Sequence, residues 1–152
     1  MIPGIDFFHL PSYPSGWLNP KGRQALRVCP EAHSTLIPAL AWSLKEAAWK
    51  ALPDPVQPLR FHPRQFNILE CQNHSALVEF QNGKRVLELK YMKSHAGFLS
   101  YCLPNSYGIF RWLPKNYSKA LNGRPYIQKA AAKILISVTH DGPYWFSICP
   151  VE

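Results

Sequence analysis

Residues 42–52 read WSLKEAAWKAL and set Lys45, Glu46 and Lys50 close together on a candidate helix. Far from them in the chain, Asp6 interrupts an apolar run near the start, and Arg124, Pro125, Thr139 and His140 lie near the end. Acids and cations in this combination suit phosphate chemistry. Transfer of a phosphoryl group to a hydroxyl needs charge drawn from the phosphate oxygens by a divalent ion, and fixed cations to hold them in line. Mg²⁺ takes as few as one or two protein carboxylates, so Asp6 and Glu46 suffice as its ligands. Lys50, one turn beyond Glu46, can place an ammonium beside the same phosphate.

Each residue also has a plainer use. Asp6 can cap a turn after a strand, and Glu46 can close an S-x-x-E capping box with Ser43 or pair with Lys50 at little gain in stability. His140 alone can be a satisfied core histidine. The case for a site rests on their conjunction.

The elements that must position these residues follow from pattern. IPGIDFFHL predicts a buried strand around Asp6. PSYPSGWLNPKG is a loop by composition. A helix is predicted from about Ser34 to Leu52, capped by Ser34 or Thr35 and stopped by Pro53 and Pro55, with Pro38 tolerable only near its first turn. Leu40, Leu44, Ala47, Ala48 and Ala51 form its apolar stripe, and Ser43, Glu46 and Lys50 a neighbouring face.

After residue 65 the pattern changes to strands. SALVEF and RVLELKY flank Asn82-Gly83, a tight-hairpin signal because both turn residues accept positive φ. FNILECQ, FLSYCL and YGIFRW read as further strands, KNYSKALN as a short helix ending near Gly123, and ILISVTH with YWFSIC as a terminal hairpin. The expected fold class is α+β, a mainly antiparallel sheet packed on one long helix, within a single domain over 1–152.

Composition bounds the function. With 152 residues, 47% hydrophobic and only 17% charged, the chain suits one globular core. No apolar run reaches the roughly 18 residues of a membrane span, and the N-terminus lacks signal-peptide character, so a cytoplasmic protein is expected. Cys29, Cys71, Cys102 and Cys149 are far apart and are read as free thiols of a reduced compartment. The excess of 17 Lys and Arg over 9 Asp and Glu, a net +8, points to polyanionic partners.

Taken in order, GID at 4–6, the aromatic-x-x-KEA-x-x-K element of Trp42, Lys45, Glu46, Ala47 and Lys50, Gly123-Arg124-Pro125, and SVTHDGPYWFSIC at 137–149 resemble the 4′-phosphopantetheinyl transferase superfamily. The order is similar to that of the compact holo-acyl-carrier-protein synthases. The resemblance implies Mg²⁺-dependent transfer of phosphopantetheine from coenzyme A to a serine of an acidic acyl or peptidyl carrier protein. It also implies a trimeric assembly as one option, and neither nucleic acid nor membrane as partner.

The residue roles implied by the resemblance are as follows. Asp6 and Glu46 hold the metal; Glu46 activates the carrier serine with Lys45 assisting, and Lys50 also serves catalysis. Lys45, Lys50, Arg124, Pro125, Thr139 and His140 contact coenzyme A. Lys21, Arg23 and Arg27 are candidate contacts for the carrier. The chain departs from the family pattern at His9, where the compact class has a glutamate, and at Phe8, where the two-repeat class has an acid. Residues 66–112 carry no family motif. Two alternatives stay open: an inactive relative, and a basic domain that binds nucleic acid with Tyr91, Trp112 and Tyr117 stacking on bases.

Overall fold

The structure, a computed structural model, describes residues 1–9, 37–94 and 96–151, with His9 described in its backbone only. The expected helix caps Ser34 and Thr35, the basic residues Lys21, Arg23 and Arg27, Cys29 and the loop at 11–22 lie outside the described residues.

Strand β1 (Gly4–His9) has both faces covered, which is why it reads as an almost unbroken apolar run. It is an end strand of a five-stranded antiparallel sheet with β2 (Phe66–Gln72), β3 (Ser75–Phe80), β4 (Arg85–Lys93) and β5 (Gly97–Cys102), in the order β1-β5-β4-β3-β2. Asn82 and Gly83 both take positive φ in the β3–β4 turn, as their types require.

Helix α1 (Ile37–Lys50) covers one face of this sheet. Pro38 sits beside its first described residue. At its C-terminal end the helix stops at Lys50, two residues short of the expected span, and Ala51 and Leu52 continue only as turn. Its apolar stripe is buried as expected, and burial extends well beyond it. Only Trp42, Glu46, Trp49 and Lys50 are part-exposed, so α1 opens to solvent along one i, i+4, i+8 line.

The period-2 alternation of β1 decides what faces α1. Gly4, Asp6 and Phe8 share a face with Cys102, Ser100 and Phe98 across the β1–β5 ladder. Phe8, Phe98 and Cys102 belong to the core beneath α1. Ile5 and Phe7 point the other way, into a second core with Leu99 and Ile148. That core is closed by a sheet of β10 (Ser137–Asp141), β11 (Tyr144–Pro150) and β6 (Tyr107–Phe110). Helix, central sheet and second sheet therefore stack in layers, with Asp6 on the helix side.

A third antiparallel sheet, β7 (Tyr117–Lys119), β8 (Pro125–Lys129) and β9 (Ala132–Leu135), replaces the short helix expected at 115–122. Asn122-Gly123 explains the difference: Gly123 has φ +85°, and Ala120 and Arg124 close the turn by a hydrogen bond of 2.8 Å. That dipeptide is the same hairpin signal as at 82–83. The expected strand ILISVTH is likewise cut at Ile136 into β9 and β10, which belong to different sheets. Cys71 is disulfide-bonded, so the free-thiol reading holds only for Cys102 and Cys149 among the described cysteines. Wide sequence spacing excludes paired zinc ligands but does not exclude a bridge that closes a long loop. Among the described residues, no helix is long and apolar enough to cross a membrane.

Gly4 lies where α1 crosses β1. A Cβ there would run into the carbonyl oxygen of Ala47 and the Ala51 methyl. The expected outcome for Gly4→Ala is a loss of about 1–3 kcal/mol in urea unfolding, because helix and strand would have to separate. An unchanged unfolding midpoint would show that the two do not pack this closely.

Candidate functional site

Glu46 and the last lysine of the KEA-x-x-K element, Lys50, emerge on the open line of α1, beside β1 and β10. The Lys50 ammonium is the meeting point. Its Nζ donates to the carbonyl of Ile5 at 3.0 Å and of Val138 at 3.3 Å. It also lies 3.6 Å from Asp6 Oδ1 and 3.4 Å from Glu46 Oε1. Two carboxylates forty residues apart in sequence thus converge on one cation. Glu46 is further fixed by the indole of Trp42, which donates to its Oε2 at 3.0 Å.

Asp6 is held by its surroundings on every side but one. Thr139 Oγ1 donates to Asp6 Oδ1 at 3.2 Å and accepts the Phe7 N–H at 3.1 Å. Ser137 does the same for the Ile5 N–H at 3.1 Å. Side chains of β10 therefore satisfy donors on the outer edge of β1, where a further strand would otherwise pair. Ser43 donates to the Asp6 carbonyl at 3.2 Å, so it is buried between helix and sheet. Its position deep in α1 also rules out the capping-box reading of Ser43 and Glu46.

Asp6 Oδ2 is buried and has no hydrogen-bond partner, and the same is true of Ser100 Oγ on the facing position of β5. Two orphaned oxygens, an acid's and a hydroxyl's at paired strand positions, are what an oxygen-seeking cation or its bound water would satisfy. Asp6 thus keeps one oxygen for such a cation, and Glu46, held by Trp42 and Lys50, is the second carboxylate at the same ammonium. Burial is the main reason that the Asp6 carboxyl is pushed up to about 7; the Glu46 charge adds to the rise, and Lys50, Thr139 and Ser43 oppose it.

Asp6, Glu46 and Lys50 line a cavity of about 390 Å³ together with Phe8, Trp42, Lys119, Thr139, His140 and Asp141. A second cavity of about 330 Å³ adjoins it across Lys50, Lys119 and Val138, and reaches Gln57, Arg124, Pro125 and Ser137. His140 is exposed and stacks on Trp145 with ring centroids 4.2 Å apart. Arg124 is buried at the far end, donating to Asp54 at 2.8 Å, to Gln57 at 2.9 Å and to the carbonyl of Leu52. Burial lowers its pKa and Asp54 raises it again.

Asp6, Glu46, Lys50, Thr139 and His140 are thus brought to one cleft, and Arg124 and Pro125 to its extension. Thr139 serves Asp6 through its hydroxyl. Lys45 is not in either lining: it is 1% exposed, and its Nζ donates to the Pro63 carbonyl at 3.1 Å. Burial lowers its pKa to about 8. Tyr91, named as a possible base-stacking ring, is buried in the main core, whereas Trp112 is exposed. Sequence reasoning missed Lys119 as a lining residue of the cleft and Ser100 as the buried neighbour of Asp6. The first was hidden by the helix expected at 115–122; for the second no local signal exists, because only strand pairing sets it opposite Asp6.

No family model, no curated protein and no solved structure matches the chain.

The raised carboxyl of Asp6 has a definite sign. Unfolded, an aspartate loses its proton near 3.8, while here it is retained to about 7. The folded state binds more protons between those values, so this contribution is full in acid and is lost as pH rises through 7. Metal-free protein should show it as a fall in unfolding free energy from about pH 4 to about pH 7, and Asp6→Asn should remove that part of the slope. Identical pH profiles for the two proteins would contradict the buried, raised carboxyl.

Proposed function

We propose that the protein is a Mg²⁺-dependent 4′-phosphopantetheinyl transferase acting on coenzyme A and an acidic acyl or peptidyl carrier protein. The observation that carries this reading is the convergence of Asp6 and Glu46 on the Lys50 ammonium at a cleft that also contains Lys119 and His140. Three motifs distant in sequence share this cleft, which supports a common role for them over three separate structural ones. All of these residues come from one chain, so the cluster does not need a second copy.

In the reaction, the carrier serine oxygen bonds to the phosphorus that bears pantetheine. The bond from that phosphorus to the adenosine 5′-phosphate oxygen breaks, releasing adenosine 3′,5′-bisphosphate. The serine proton passes to Glu46, whose carboxylate is aimed by Trp42 and balanced by Lys50. Asp6 and Glu46 would hold Mg²⁺, which when bound draws charge from the pyrophosphate oxygens. Lys50 and Lys119 place positive charge on the same wall of the cleft. Arg124, Pro125 and His140 border the space available to the nucleotide end. Lys45 assists from behind: it ties α1 to the chain at Pro63 and so sets the position of its neighbour Glu46.

A cytoplasmic setting belongs to the same proposal, although the Cys71 disulfide would there face reducing conditions. Base stacking loses Tyr91 to the core, which weighs against the nucleic-acid reading.

The test is direct. Protein, coenzyme A, Mg²⁺ and an apo carrier protein are incubated, and the carrier's mass is recorded. A gain of one phosphopantetheine is expected, and Glu46→Gln should slow it by at least about a hundredfold. No adduct on any of several carriers, or normal turnover by the variant, contradicts the reading.

A further inference from the structure

Between Glu88 and Asp141 the chain contains no acidic residue, yet it contains eight Lys and Arg. The whole β7–β8–β9 sheet falls within this interval. It is unusual within the fold in a second way: none of its residues is buried. A three-stranded sheet ordinarily needs an apolar face packed on something. This one adjoins the body through β8, beside β10. Its pairing sets Tyr117, Ile127 and Ile134 in one row across the three strands. Lys119 and Lys129 stand on the same face, before and after that row along the strands.

An apolar row bracketed by lysines, with no acid in the neighbouring sequence, is complementary to an acidic surface that carries apolar residues at its centre. The side-chain types select a protein over a nucleic acid. Two of the three residues in the row are isoleucines, which offer no ring for a base to stack on. Lys119 also lines both cavities of the candidate site. An occupant of this face therefore borders the cleft directly.

We infer that the β7–β9 sheet is the docking face for the acidic protein substrate, held by the Tyr117–Ile127–Ile134 row and steered by Lys119 and Lys129. This rests on the transferase reading for the identity of the partner. It replaces the basic residues near the N-terminus as the proposed contact. The face presents the acceptor serine to the end of the cleft where Asp6, Glu46 and Lys50 meet.

The test uses the full chain, a fluorescently labelled apo acyl carrier protein and a labelled single-stranded oligonucleotide, with anisotropy as the readout. Lys129→Glu should weaken carrier binding about tenfold at low salt, and the loss should shrink as salt rises. Ile134→Asp should weaken it further. Both variants should leave the affinity for coenzyme A, measured by calorimetry, as it is in the parent protein. Lys84→Glu, in the β3–β4 turn, has the same charge change elsewhere and should have little effect.

Equal carrier binding by the parent, Lys129→Glu and Ile134→Asp would overturn the docking assignment. So would a parent protein that binds the oligonucleotide through these residues and ignores the carrier. The two readings fail separately. Carrier binding that depends on this face but gives no mass adduct leaves the docking face standing and removes the transferase. An adduct formed equally fast by both variants does the reverse.

Discussion

One ammonium group organises the centre of this molecule. Lys50 Nζ reaches the carbonyls of Ile5 on β1 and Val138 on β10, and stands between the carboxylates of Asp6 and Glu46. Two sheets and the helix meet at that atom. β1 and β10 are not joined there by a regular ladder. Ser137 and Thr139 hydroxyls take the β1 amides, and Lys50 takes a carbonyl from each strand. A seam built from side chains leaves an opening where a ladder would close it, and the cleft occupies that opening.

The same junction accounts for the electrostatics. Asp6 is buried beside a second carboxylate, an arrangement that disfavours its charge, and Lys50 only partly offsets this. Its second oxygen and the facing Ser100 hydroxyl remain without partners. Unsatisfied oxygen atoms in a buried position are costly for stability, and sites for cations and phosphate are where such costs are retained. The proposed metal would supply the missing partner, and the phosphate would meet Lys50 and Lys119.

Several features of this arrangement were legible in the sequence. The apolar run around Asp6 predicts a strand covered on both faces, and Asn82-Gly83 predicts the hairpin it forms. The spacing of Leu40, Leu44, Ala47 and Ala48 predicts the buried stripe of α1, and with it the placement of Glu46 and Lys50 on a neighbouring face. What could not be read follows from pairing across long separations. Ser100 meets Asp6 only because β5 lies beside β1. Ser43 shares a predicted face with Glu46 and Lys50 but is covered by β1 and β5, since α1 is buried on most of its surface. Lys45 was expected to share the site with its neighbour Glu46. One step along a helix turns a side chain by about 100°, which carries Lys45 into the interior. Lys119 was concealed by reading KNYSKALN as helical when Asn122-Gly123 had already supplied a hairpin turn.

The central claim is that two carboxylates distant in sequence face a single cation position. Carbon-13 NMR of the side-chain carboxyls during a titration with Mn²⁺, a paramagnetic stand-in for Mg²⁺, tests it most directly. A shared position predicts that the Asp6 and Glu46 signals broaden together at the same low ratio of ion to protein, while Glu79 and Glu88 on the central sheet stay sharp. Broadening of one without the other, or of neither before the surface carboxylates respond, would contradict it.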